Sequence, residues 1–274
     1  MSGMIKIDAV KVSMATPIGK VEENFHRNKF RDDISNYPNY LANKRIAIVG
    51  GGPSLKETIT ELKEGKYQEI LACGSVHKFL MENGVIPTMT IVCDPDPVMA
   101  SYISPVDPKT TFFVATQCDP PLFDLFNKSI KVHTFNAGGS PEFNKIFDRG
   151  TILTGGCTVG TRGIMLALDM GYSNIELFGF DTCVIDKDTH HAYNFSSSSE
   201  ELGKLTEIAL IEDGKKYLLA DYMVGQLFDF KNLLIANYAR MNVTSHGHGI
   251  LTDYLELCSQ KAKALMSKGV ENGI

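Results

Sequence analysis

KRIAIVGGGPSLKETI, residues 44–59, decides the fold. Ile46, Ala47, Ile48 and Val49 form an unbroken apolar run, the pattern of a strand buried on both faces. Gly50, Gly51 and Gly52 follow, and glycine lets a backbone turn sharply and approach a ligand closely. Pro53 and Ser54 then open a helical stretch. The first N–H groups of a helix have no partner within it and attract anions, so Ser54 has the hydroxyl either to cap the helix or to meet a phosphate. The spacing is neither G-x-G-x-x-G nor a P-loop, because Leu55 and Lys56 follow directly. A ligand cradle and a plain tight turn both fit these residues.

Outward from this stretch, strand-like runs recur at 46–50, 69–74, 89–94, 111–116, 131–135, 174–180 and 241–245. They are continuous and β-branched rather than alternating. Segments of helical length separate most of them, including 75–84, 119–128, 157–171 and 217–239. This alternation predicts an α/β fold built on a doubly wound, mostly parallel Rossmann-like sheet. Residues 1–43, polar and rich in Asn, Lys and Arg, read as an N-terminal arm with some helix, ahead of a Rossmann-like catalytic domain over 44–274. One stretch breaks the alternation. In TEIALIEDGKKYLLA, residues 206–220, two strand-like runs flank Asp213-Gly214, a type I′ hairpin signal. The polar NFSSSSEELGK precedes it at 194–204, so 182–220 reads as an insertion made of a lid loop and a β-hairpin.

A chain of 274 residues is long enough to bury a sizeable core in one large α/β domain. The net charge of −5 gives no reason to expect nucleic acid or an anionic membrane as a partner. No stretch approaches the ~20 apolar residues of a membrane span, and MSGMIKIDAV lacks the apolar region of a secretory signal. Cys73, Cys93, Cys118, Cys157, Cys183 and Cys258 are scattered without a C-x-x-C pair. They read as free, reduced thiols of a cytoplasmic protein, not as a zinc site.

Ligands of an open parallel sheet bind beyond the carboxyl ends of its strands, so the residues after each strand carry the functional reading. Gly74-Ser75 ends the second. Asp94-Pro95-Asp96-Pro97 ends the third. Two carboxylates one residue apart suit Mg²⁺ on phosphates, and they equally suit a turn with helix-capping aspartates. In LTGGCTVGTRGIMLAL, residues 153–168, Gly155, Gly156, Thr158 and Thr161 stand ahead of an apolar helix, a second anion-friendly start. Arg162 there suits a phosphate, a carboxylate or a surface ion pair. LFGFDT brings Asp181 to the mouth, where a carboxylate suits ribose hydroxyls, a sugar, a base edge or a metal. His190 and His191 in the insertion suit acid–base work or simple solvation. Ser245 and His246 end the last strand, in TSHGHGIL. No Ser-His-Asp or Cys-His nucleophile arrangement stands out.

IAIVGGGPSL (46–55), ILACGSVHKFLMENGVIPTMTIVCDPDP (70–97) and TGGCTVGTRGIMLALDMGYSNIELFGFD (154–181) resemble, in order and spacing, the 6-hydroxymethylpterin diphosphokinase-like family. That family includes motility accessory factor glycosyltransferases, and the likeness runs over about residues 44–252. The resemblance implies a transferase with a nucleotide donor, with ATP and Mg²⁺ moving a diphosphate onto a pterin-like hydroxymethyl acceptor. The middle block is also similar to a thiamine pyrophosphokinase segment whose strand ends in Asp-x-Asp and holds Mg²⁺ and ATP. By that likeness Asp94 and Asp96 are metal ligands, although Cys73-Gly74-Ser75 replaces the acidic-glycine run. The nucleotide would meet Gly50, Gly51, Gly52, Pro53 and Ser54, then Gly74 and Ser75, then Gly155, Gly156, Thr158 and Arg162, with Ser245 and His246 alongside. Asp94, Asp96, Asp181, His190 and His191 would be the catalytic set. Bacterial sialyltransferases, more distantly similar, share the Gly52-Pro53-Ser54-Leu55 turn, Thr154-Gly155, Gly179-Phe180-Asp181 and a lid tyrosine matched by Tyr193. They imply a second reading, glycosyl transfer from a CMP-activated sugar without a metal. A third is a non-catalytic nucleotide-binding protein that keeps the fold.

Overall fold

The seven strand-like runs all become strands of one sheet. The computed structural model describes residues 17–28, 31–37, 44–185, 189–195, 205–210, 214–237 and 239–271. Its strands are β1 (Asp32–Asp33), β2 (Arg45–Val49), β3 (Glu69–Cys73), β4 (Met89–Val92), β5 (Thr111–Ala115), β6 (Lys131–Ala137), β7 (Ile152–Leu153), β8 (Asn174–Phe178), β9 (Leu205–Ala209), β10 (Lys216–Ala220) and β11 (Asn242–His246). Its helices are α1 (Ile18–Arg27), α2 (Leu55–Glu64), α3 (Val76–Glu82), α4 (Met99–Ile103), α5 (Pro120–Phe123), α6 (Pro141–Asn144), α7 (Val159–Asp169), α8 (Asp221–Asn237) and α9 (Ile250–Glu271).

The main sheet runs β1-β6-β5-β4-β3-β2-β8-β11, with β7 beside β6. Every pair in it is parallel. From β2 the chain winds outward through β3, β4, β5 and β6, then returns to the other side of β2 as β8 and β11. The direction of winding therefore reverses between β2 and β8, the place where such sheets open a ligand crevice. Val49 stands level with both Ala72 and Phe178, so the loops after β2, β3 and β8 leave the sheet at one edge.

Alternate residues of β2, β3 and β8 feed two separate cores. Ile46 and Ile48 join the larger one with residues of α7, α8 and α9, whereas Ala47 and Val49 face α2 and α3. Fully burying one such side chain contributes ~1.5–3 kcal/mol. The uncharged run Ile46–Val49 is a consequence of having helices on both faces. A Cβ at Gly163 would stand 3.0 Å from Cys73 Sγ, so this glycine lets α7 lie close on β3.

The polar arm also has a physical explanation. Within it, α1 crosses the end of β5, where Asn24 and Asn28 donate to the carbonyls of Gln117, Thr116 and Cys118 at 2.7–3.1 Å. β1 extends the sheet edge, and Asp33 accepts from the amide and hydroxyl of Thr151 and from the amide of Ser35. Partial burial pushes the Asp33 carboxyl up, but these hydrogen bonds prevail and hold it at about 2.

Two boundaries differ from the sequence expectation. The helix expected at 119–128 is a single α-turn, after which Leu125 and Phe126 bond three residues back instead of four. Residues 217–220 belong to β10, and α8 begins only at Asp221. β9 and β10 form the antiparallel hairpin, separate from the main sheet. Gly214 has φ +68°, as a type I′ turn requires, while Asp213 and 196–204 lie outside the described residues. None of the six cysteines is in a disulfide. Among the described residues no helix is long and apolar enough to cross a membrane.

Candidate functional site

Glycine-bearing loops, the Asp94–Asp96 turn and one aromatic segment lie beyond the carboxyl ends of the parallel strands. The first is the Gly50–Ser54 turn. Most of its amides are already engaged, Gly51 excepted: Gly50 donates to the Phe178 carbonyl and Gly52 to the Gly179 carbonyl, both at 2.8 Å. Ser54 donates through its amide (2.7 Å) and its hydroxyl (2.5 Å) to the two carboxylate oxygens of Asp181. Leu55 and Lys56 donate to Gly52 and Pro53. The anion at the start of α2 is therefore a side chain of the protein itself. Ser54 is fully buried and Asp181 is 1% exposed. Burial pushes the Asp181 carboxyl above its ordinary range, against the pull of the two Ser54 bonds.

The backbone beyond Asp181 is constrained. Thr182 has φ +54°, a region that a β-branched residue seldom enters. A side chain at Gly249 (φ +116°) would collide with the Asp181 backbone, and one at Gly247 with the Ser54 hydroxyl. The glycines of TSHGHGIL thus wrap the Ser54–Asp181 pair. Ser245 and His246 lie outside the crevice. The Ser245 hydroxyl bonds that of Thr252 at 2.8 Å. The His246 ring lies flat on Phe178 (4.2 Å, 1°), with one nitrogen facing Glu61 and the other Glu176.

The start of α7 is arranged differently. Thr158 caps it, its hydroxyl accepting from the Thr161 amide. The Cys157 amide donates to Asp229 Oδ2 at 2.7 Å, and Gly156 (φ +87°) has no room for a side chain beside that carboxylate. Among the described residues no hydrogen bond engages the amides of Gly156, Thr158, Val159 and Gly160. Arg162, 9% exposed, donates to the carbonyls of Leu153 and Gly138, each at 2.7 Å. No carboxylate of the described residues pairs with it, so a cation lies buried below the crevice without a described counter-ion.

Asp94 and Asp96 form the turn after β4. Asp94 Oδ1 accepts from the Asp96 amide and Asp96 Oδ1 from the Val98 amide, both at 2.9 Å. The helix-turn role and the ligand role of this pair are thus compatible. A Cβ at Gly74 would touch the side chains of Val159 of α7 and Met99 of α4, so these two helices both pack at the end of β3. Two carboxylates fit Mg²⁺, which binds through one or two of them plus substrate phosphates and water. Among the described residues no cluster of three or more His, Cys, Asp or Glu gathers around a metal position.

The inserted loop closes the site from above. Ala192 donates to the Gly51 carbonyl (2.8 Å), and the His191 ring reaches the same oxygen (3.2 Å). The Tyr193 hydroxyl meets Ser75 Oγ at 2.7 Å, and its ring stacks on Phe79. His190 lies against His191, ring centroids 4.5 Å apart. Phe79, Tyr102, Phe195 and Asp229 belong to this site but are invisible in local sequence. An aromatic in an amphipathic helix reads as core, and Asp229 is 72 residues away from the amide it receives.

The model of the family described as 6-hydroxymethylpterin diphosphokinase MptE-like matches residues 18–187. Among solved structures, the chain is similar to the MAf glycosyltransferase from Magnetospirillum magneticum AMB-1, with 19% identity and a TM-score of 0.64 over 85% of this chain and 37% of that one. The chain thus spans little more than a third of that protein, and the likeness is one of fold. The sialyltransferase CstII from Campylobacter jejuni, solved with the substrate analogue cytidine-5'-monophosphate, matches at 15% identity and a TM-score of 0.41, over 77% of this chain and 87% of that one. No curated protein matches.

Proposed function

The chain belongs to the 6-hydroxymethylpterin diphosphokinase MptE-like family, and on that premise we propose a transferase that moves a diphosphate from ATP onto a pterin-like hydroxymethyl acceptor. The family and its structural neighbours point to transferases. One observation carries the finer reading: among the described residues no hydrogen bond engages the amides of Gly156, Thr158, Val159 and Gly160 at the start of α7, while Asp94 and Asp96 end β4 in the same parallel sheet. Phosphoryl-type transfer needs mainly positioning and charge neutralisation. The amides of Gly156, Thr158, Val159 and Gly160 would hold phosphate oxygens, with the Arg162 cation beneath them. Asp94 and Asp96 would hold Mg²⁺, which when bound neutralises phosphate charge. The acceptor hydroxyl oxygen bonds to the β-phosphorus of ATP. The bond from that phosphorus to the oxygen bridging the α-phosphate breaks, and AMP leaves with the electron pair. The hydroxyl proton passes to a base, for which the inserted loop offers His191.

The second reading, sugar transfer from a CMP-activated donor, is favoured by the aromatic segment over the crevice and by the lack of a third metal-binding side chain among the described residues. Calorimetric titration with ATP and with CMP, each with and without Mg²⁺, separates the two. The expected result is ATP binding that needs Mg²⁺ and is lost in Asp94→Ala. CMP binding indifferent to Mg²⁺ would replace diphosphate transfer with sugar transfer. If neither nucleotide binds, both readings fail.

A further inference from the structure

We propose that the segment His191–Tyr193 is an internal occupant of the face between Gly51 and Ser75, so that a ligand enters there only when the segment lifts. The proposal rests on reading the crevice as a nucleotide site, and concerns how that site is regulated.

Three hydrogen bonds and a run of ring contacts fix the segment. The Gly51 carbonyl receives the Ala192 amide at 2.8 Å and faces His191 Nδ1 at 3.2 Å. Tyr193 reaches across to Ser75, 2.7 Å away, joining the loop after β2 to the loop after β3. Its ring lies between Phe79 (5.5 Å, 29°) and His191 (5.3 Å, 22°), stacked on both. Further out, the Tyr102 hydroxyl donates to the Asn194 carbonyl, and Phe195 lies 4.9 Å from the Tyr102 ring. The loop is therefore anchored on the ends of β2 and β3 and on α4 together.

The fit leaves no room. A single Cβ at Gly51 would stand 2.7 Å from His191 Nδ1 and 2.7 Å from the Tyr193 hydroxyl. A phosphate group is larger than a methyl group, so it cannot approach this glycine from that side while the segment is down. The polar atoms that would meet a ligand here, the Gly51 carbonyl and the Ser75 hydroxyl, are satisfied by the segment instead. When only the open fraction of a protein binds, the apparent dissociation constant is the intrinsic one divided by that fraction. A segment down in nine molecules of ten weakens binding about tenfold, and releasing it restores that factor.

Two measurements test this. In the ligand-free protein, hydrogen exchange should find the Ala192 amide protected, and Tyr193→Ala should remove that protection. A titration should then find nucleotide binding about tenfold tighter in Tyr193→Ala. Tyr193→Phe, which keeps the stack and removes only the Ser75 bond, should fall between, and it serves should the alanine variant fail to fold. An Ala192 amide that exchanges as in free coil in the wild type would overturn the proposal. So would weaker binding in either variant, because it would make Tyr193 a ligand contact. If no nucleotide binds either form, the nucleotide reading fails, and exchange at Ala192 still decides whether the segment occupies the site.

Discussion

At the start of α2, Asp181 gathers the amide and hydroxyl of Ser54, and the neighbouring amides donate to carbonyls of the turn and of β8. At the start of α7, Asp229 reaches one amide, that of Cys157, while the amides after it are engaged by none of the described residues. Both starts follow glycine-rich turns at the same edge of one sheet. One has been completed from within the fold, and the other has donors that none of the described residues engages. The difference arises from reach. Asp181 sits three residues past the end of β8, which pairs with β2, and so it points at α2. Asp229 sits on α8 and arrives from the side. A helix start attracts an anion in either case, and the fold decides whether that anion is its own.

The largest test of this contrast is stability. Asp181→Ala would leave a buried amide and a buried hydroxyl without an acceptor, and hydrogen bonds to charged groups contribute about 1.5–3 kcal/mol each. A loss of roughly 3–4 kcal/mol is expected in urea denaturation. Asp229→Ala removes a half-buried acceptor for one amide and should lose about 1 kcal/mol. Equal losses would mean that α7 is closed from within as firmly as α2.

The next test moves from stability to binding. Ser54→Ala should lose about 1.5–3 kcal/mol and leave nucleotide affinity unchanged, since Ser54 is buried under Gly247 and faces Asp181. Thr158→Val removes the cap of α7, worth about 1 kcal/mol of stability, but should weaken nucleotide binding severalfold by loosening the donors beside it. Titration calorimetry on both variants checks the pair. Weaker binding in the Ser54 variant alone would move the phosphate site to α2.

How much of this was legible in the sequence follows from the range of each signal. The strands were, because helices on both faces demand unbroken apolar runs, and 46–50 or 89–94 allow little else. The hairpin was, through its two strand-like runs. The places where loops leave the sheet were also legible, since Gly50–Ser54, Gly74-Ser75, Asp94–Asp96 and Asp181 each follow a strand of the parallel sheet. Their partners were not. Nothing around Gly50–Ser54 announces that Asp181, 127 residues on, fills the start of α2. Nothing near Arg162 announces that its fork grips the carbonyls of Gly138 and Leu153. His246 ends a strand as expected, but faces α2 because Glu61 and Glu176 stand on that side. Residue type and local period identify which groups want a partner, and only the packed chain supplies it.

The smallest expected effect is the dependence on acidity, and it sharpens the contrast between a carboxylate taken out of water and one held by donors. Burial raises the Asp181 carboxyl above its unfolded value of 3.8, while the bonds from Thr151 and Ser35 outweigh partial burial at Asp33 and lower it to about 2. A raised carboxyl binds its proton more readily in the folded state, so its contribution to stability is greatest in acid and is lost as the pH rises through the folded value. A lowered one contributes above 3.8 and loses that contribution as the pH falls toward about 2. Comparing the wild type with Asp181→Asn and with Asp33→Asn across acid pH should therefore give opposite slopes. The wild type should gain on Asp181→Asn as the pH falls from neutral, and Asp33→Asn should close its gap with the wild type between pH 4 and about 2. Thermal midpoints at a series of pH values read both slopes. Parallel slopes would mean that the Ser54 bonds outweigh burial at Asp181, and that the start of α2 holds its anion more strongly than its burial suggests.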